Sequence, residues 1–256
     1  MQQPPTGQAQ LSAPSAAQPG FLARAVHSVE AAWLHSAERT GCWSFDVKDE
    51  QGGGEETVTS MKAVRLGSGH LLPSPGLGVY RSASGGECHQ AVLSALRLGY
   101  RHIDTAQIYG NEADVGRAVA DSGLRREEVF ITTKVWTSNW GYDKAWASIK
   151  QSLSELGISY ADMVLLHAPG DAGTRAETWR ALEDAVQQGL VRSIGVSNFG
   201  IPHLQKLQQT ATIKPAVNQI EIHPWLQWRE EVEYCRKEGI VLEVRRPGVS
   251  PCLRGA

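Results

Sequence analysis

From Met61 onward, apolar and polar positions alternate between two periods. Short runs of β-branched and apolar residues recur, and each is followed by a stretch with apolar residues three and four apart. Lys62–Leu66 and His70–Leu72 flank Gly67-Ser68-Gly69, which predicts a hairpin around a glycine turn. Gly76–Val79 predicts a first short strand, and Glu87–Leu98 a helix with Val92, Leu93 and Leu96 on one side. Arg101–Asp104 reads as the second strand and Asn111–Asp121 as the next helix, stopped by Gly123. Val129–Lys134, Met163–His167, Val191–Val196, Ala216–Glu221 and the run starting at Ile240 supply five more strands. Met163–Leu166 is a continuous apolar run, as expected of a parallel strand covered on both faces. The intervening helices are Tyr142–Leu156, Thr174–Gln188, Pro202–Gln209 and Arg229–Glu238.

Strand and helix alternating about every 30 residues imply βαβ units and a parallel sheet. Seven such strands, with no GxGxxG loop after the first, favour a (β/α) barrel over an open dinucleotide-binding sheet. Asp104, Lys134, His167 and Ser197 keep the same beat, 30, 33 and 30 residues apart, each at or just past the carboxyl end of a strand. A barrel gathers those ends on one rim, where barrel active sites lie.

Tyr109, Lys134, Asp104 and His167 together suggest proton transfer. A phenol with a pKa of about 10 is a reluctant acid, and a neighbouring ammonium is expected to lower that value. Asp104 is expected to hold the charge of Lys134 in place, and His167 to aim a substrate oxygen at the phenol. Such a set suits protonation of a carbonyl oxygen while hydride, which no side chain supplies, arrives from a cofactor. Each residue alone has an ordinary structural use: a solvated lysine, a satisfied interior histidine, a capping aspartate, a packing tyrosine. Their joint placement on successive units carries the reading.

Five ordered motifs resemble the aldo-keto reductase family: GYRHIDTAQIYGNE (Gly99–Glu112), ITTKVW (Ile131–Trp136), LLHAP (Leu165–Pro169), GVSNF (Gly195–Phe199) and NQIEIHPW (Asn218–Trp225). The resemblance runs from about Lys62 to Glu243. It implies a (β/α)8 TIM barrel and NADPH-dependent reduction of aldehydes or ketones to alcohols. Tyr109 would be the proton donor, supported by Lys134, Asp104 and His167. It also implies that Asp104, Ser197, Asn198 and Gln219 lie at the cofactor, the last three on the nicotinamide carboxamide. Trp136, His167 and Trp225 would line the substrate pocket. The partner is then a small carbonyl compound, and the family's habit is monomeric.

The pattern departs from the family in two places. Ala168 stands where LIHWP has its tryptophan. After Glu243 the chain reads VRRPGVSPCLRGA in place of the aromatic-Ser-Pro-Leu stretch whose ring stacks on the nicotinamide. The stretch 244–256 is therefore expected to be a divergent tail, reading as a splice end or altered frame. Residues 61–243 are expected to form an incomplete barrel of about six and a half units with an N-terminal hairpin, leaving open strand edges. On that basis the alternative is an inactive or non-catalytic truncated barrel acting as a binding or regulatory protein.

Composition adds limits. Hydrophobic residues make up 41% and charged residues 20% of the 256, and net charge is -2. This gives no case for nucleic acid or an anionic membrane as partner, and no apolar run approaches the roughly 20 residues of a membrane span. Cys42, Cys88, Cys235 and Cys252 show no metal-ligand spacing and suit a reducing, cytoplasmic setting. No metal is expected. Residues 1–60, rich in Gln, Pro, Ala and Ser before a Gly52-Gly53-Gly54 run, are expected to form a flexible, disordered extension. Within it, 21–36 has the spacing of a short helix, and the scarcity of acidic residues before Glu30 leaves organelle targeting open.

Overall fold

The computed structural model describes residues 42–43 and 61–245. The helix expected over 21–36 and most of the tail lie outside them. Three strands form a small antiparallel sheet: β1 (Cys42–Trp43), β2 (Met61–Arg65) and β3 (Leu71–Ser74). The β2–β3 hairpin is the one expected from the glycine turn; β1, within the stretch read as an extension, adds a short outer strand.

The main sheet has seven parallel strands in sequential order: β4 (Leu77–Gly78), β5 (His102–Asp104), β6 (Phe130–Val135), β7 (Ala161–Leu166), β8 (Val191–Ser197), β9 (Val217–Glu221) and β10 (Val241–Arg245). Helices α1 (Glu87–Arg97), α2 (Glu112–Asp121), α3 (Tyr142–Leu156), α4 (Arg175–Gln187), α5 (Ile201–Gln208) and α6 (Arg229–Glu238) fill the six crossovers between successive strands. One hydrogen bond shows that the sheet curls. Gln219 on β9 donates to Asp104 on β5 at 2.7 Å, although four strand spacings of about 4.8 Å each would separate them in a flat sheet. The order ends at β4 and β10, which do not pair with each other, so this is an incomplete (β/α)8 barrel.

Alternation decides which residues enter the barrel. On β10, Val241 packs with the inner cluster while Leu242 joins the outer core. On β6 and β7 every residue is buried, one parity facing the barrel axis and the other the helices. The outer core is built from Val164, Leu166, Ile194 and Val196 against Ile149, Trp179, Leu182 and Leu204 of α3, α4 and α5. The lower interior is closed by the hairpin: Leu66 and Leu72 pack on Phe130, Met163, Leu165 and Val217. At Gly195 a Cβ would lie 2.7 Å from the Val217 carbonyl oxygen and 2.8 Å from the Leu165 side chain, so a glycine lets β7, β8 and β9 close up beneath the rim.

Candidate active site

The inner-facing parity places a polar group at or just past the top of each strand from β5 to β9: Asp104, Lys134, His167, Ser197 and Gln219. Lys134 is 1% exposed and spends all three ammonium hydrogens locally. It donates to Asp104 Oδ1 at 2.5 Å, to the Thr105 carbonyl at 3.0 Å and to the Tyr109 hydroxyl at 3.4 Å. The His167 ring meets the Tyr109 ring edge-on, centroids 5.6 Å apart. The Trp136 ring also meets His167 edge-on, centroids 5.0 Å apart. Tyr80, which the sequence did not single out, places its ring 5.0 Å from that of Tyr109.

Tyr109 is held by its loop. It ends a 3-10 turn, Gln107–Tyr109, and Gly110 follows at φ 67, a conformation that suits glycine. Gln107 is the anchor. Its amide nitrogen donates to the Ser148 carbonyl at 2.9 Å and Ser152 Oγ at 3.1 Å. Its oxygen accepts from Ser148 Oγ at 2.7 Å and Asn139 Nδ2 at 3.2 Å. Beyond the turn, Asn111 ties the start of α2 to the preceding loops, donating to the Val79 and Ser82 carbonyls and accepting from Thr105 Oγ1 at 2.8 Å.

Burial governs the electrostatics. It pushes the Tyr109 phenol upward more strongly than Lys134 pulls it down, and Asp104 adds to the rise. The sequence expectation of a lowered value is therefore corrected: the ammonium acts in the expected sense, but desolvation of the phenolate outweighs it. For Lys134 burial disfavours the charge, yet Asp104, Tyr109 and the hydrogen bond to Asp104 together raise it above its ordinary value. His167 is lowered to about 4, by burial first and then by Lys134. Its imidazole is neutral at pH 7, and its Nδ1 is buried with no hydrogen-bond partner among the described residues.

Ser197, Asn198 and Gln219 form an adjoining corner. Asn198 is non-glycine at φ 62, a costly conformation that clusters at ligand sites. It donates to the His167 carbonyl at 2.9 Å and to Ser197 Oγ at 3.1 Å, and its oxygen accepts from Arg245 at 2.6 Å. Ser197 Oγ donates to the backbone carbonyl of Gln219 at 2.9 Å. Beside this corner lies a cleft of about 210 Å³, bounded by Phe199, Ile220, Trp228 and Arg245. A larger cleft, about 470 Å³, lies among Lys62, His70, Phe130 and Arg192, by the hairpin and apart from the acid–base cluster. Trp225 is not brought to the cluster: it is 87% exposed and its ring contact is with His223.

The Aldo/keto reductase family profile matches residues 77–256. The chain belongs to the aldo/keto reductase family. It is 46% identical over 190 residues to the glyoxal reductase of Bacillus subtilis (strain 168), covering 74% of this chain and 68% of that one. It is 45% identical over 184 residues to the 9,11-endoperoxide prostaglandin H2 reductase of Trypanosoma cruzi (strain CL Brener), covering 72% and 65%. Among solved structures, an aldo/keto reductase from Brucella melitensis superimposes with a TM-score of 0.70 at 41% identity, covering 72% of each chain. A Bombyx mori aldo-keto reductase in complex with NADP gives 0.67 at 36%, covering 71% and 65%. This family member thus spans about two thirds of the length of the curated relatives it matches. No helix among its described residues is long and apolar enough to cross a membrane.

Proposed function

We propose that this chain reduces aldehydes or ketones to alcohols with NADPH, Tyr109 giving the proton. The observation that carries the reading is the Tyr109–Lys134–Asp104 chain of contacts beside a neutral His167. A raised phenol keeps its proton at neutral pH, as a donor must, and gives it up only to a strong base such as a forming alkoxide. As the proton leaves, negative charge grows on an oxygen 3.4 Å from the buried ammonium, which is where a preorganised charge is most effective. Asp104 keeps the ammonium from turning away. His167, uncharged, orients the substrate oxygen by a hydrogen bond without competing with Lys134 for the phenolate, and Trp136 supplies an apolar wall.

NADPH, when bound, supplies hydride to the carbonyl carbon. The donor set fits its nicotinamide end. Gln219 spends both amide hydrogens inward and keeps its carbonyl oxygen, which suits the N–H of a carboxamide. Ser197 and Asn198 complete that corner, although Arg245 takes the Asn198 oxygen in this structure. That contact occupies part of the corner and favours a second reading, an inactive or non-catalytic barrel acting as a binding or regulatory protein. The experiment is NADPH oxidation by the purified, folded chain with a panel of aldehydes that includes glyoxal. Turnover supports the reductase. A folded chain that reduces nothing supports the second reading, and one that also shows no quenching at saturating NADPH is the inert case.

A further inference from the structure

The inner-facing series does not stop at Gln219. Glu243 lies opposite it in the β9–β10 register and takes the same inward parity, two residues past Val241, which packs inside, and next to Leu242, which packs outside. Its Oε1 accepts from Gln219 Nε2 at 2.7 Å. The same nitrogen donates to Asp104 Oδ2, also at 2.7 Å. A primary amide has two hydrogens, so Asp104 and Glu243 together use both. Among the described residues, none donates to the remaining side-chain atom, the Gln219 amide oxygen Oε1.

We propose that Glu243 is a positioning residue that, with Asp104, locks the Gln219 amide with its nitrogen inward and its carbonyl toward the ligand, so that the corner selects a carboxamide over a carboxylate. The role rests on the dinucleotide reading above. The orientation has a physical cause. Turning the amide over would set its carbonyl oxygen against two carboxyl oxygens and leave both N–H bonds without these acceptors, a costly arrangement in the interior. A ligand carboxamide can donate to the fixed carbonyl. A ligand carboxylate has only lone pairs to offer it.

The second oxygen of Glu243, Oε2, is buried with no partner among the described residues. Burial, and the nearness of Asp104, push the carboxyl upward, while His102, Gln219 and Lys134 pull the other way. A proton on Oε2 leaves Oε1 as the acceptor, and the lock on Gln219 then survives without a second anion beside Asp104.

The test uses the full chain and two probes, NADPH and its analogue with nicotinic acid in place of nicotinamide, titrated by tryptophan fluorescence. The parent chain should bind the amide more tightly than the acid. In Glu243→Leu, NADPH should weaken about tenfold while the acid analogue changes by less than about threefold, that tenfold being ~1.4 kcal/mol. Glu243→Gln retains an acceptor oxygen and should keep the preference within about threefold. Equal weakening of both probes in Glu243→Leu, or no change in either, overturns the proposal, since a merely structural role would not tell the two apart. If Glu243→Leu does not fold, a folded Glu243→Gln that loses the preference overturns it equally. A parent chain that binds neither probe overturns the dinucleotide reading itself.

Discussion

Replacing Lys134 by Met tests how tightly charge is held in this barrel. The side chain is 1% exposed, and all three of its hydrogens are engaged, to Asp104, Thr105 and Tyr109. Met fills similar space but leaves the Asp104 carboxylate, itself 8% exposed, with Gln219 as its remaining donor. Breaking a buried ion pair from one side costs about 3–5 kcal/mol. At roughly 2–4 °C per kcal/mol for a domain of this size, melting should fall by about 6–20 °C. Adding Asp104→Asn removes the stranded charge, so the double variant should recover at least about 2 kcal/mol relative to the sum of the singles. Urea unfolding followed by tryptophan fluorescence and circular dichroism reads all four corners of the cycle. The Lys134 value is raised, so its contribution is fully present below the ordinary lysine value of 10.5 and is lost only as pH rises past it. A cost below about 1 kcal/mol for Lys134→Met at neutral pH, or strict additivity, would refute a buried, mutually dependent pair.

His167 gives a pH signature: with its value lowered from 6.5 to about 4, the unfolded chain binds a proton that the folded chain refuses between those limits. Stability should therefore fall as pH drops from 6.5 towards 4, by roughly 3 kcal/mol from this group, and His167→Gln should flatten that part of the curve in urea titrations at stepped pH. Gln107→Ala removes the anchor of the Tyr109 turn. If the turn sets the phenol's position, kcat should fall about 10- to 100-fold while NADPH affinity, read by fluorescence, stays within about threefold.

Much of this is legible in the sequence. Short runs of β-formers alternating with stretches of helical spacing specify the sheet, the helices and their order, with the limits of most elements shifted by one or two residues and those of Tyr142–Leu156 and Arg229–Glu238 unchanged. Asp104, Lys134, His167 and Ser197 were visible because strand ends at a constant beat meet on a barrel rim. What stayed hidden depends on tertiary contact. Gln107 is an ordinary loop glutamine until α3 is packed beside it. Glu243 looked like the last residue of a failing pattern until its register opposite Gln219 was known. The direction of the Tyr109 shift turns on burial, which no local spacing reports. Trp225 sits at the end of a matching motif, yet the His223–Leu226 bridge carries it to the surface.

The most direct test of the acid–base assignment is Tyr109→Phe measured in two ways, by NADPH titration and by turnover of an aldehyde that the parent chain reduces. The phenyl ring keeps its packing on Tyr80 and His167 but has no proton to give. Affinity should stay within about threefold, while kcat falls by 10²–10⁴, the usual worth of a positioned general acid. Unchanged turnover in a folded Tyr109→Phe chain would contradict the account.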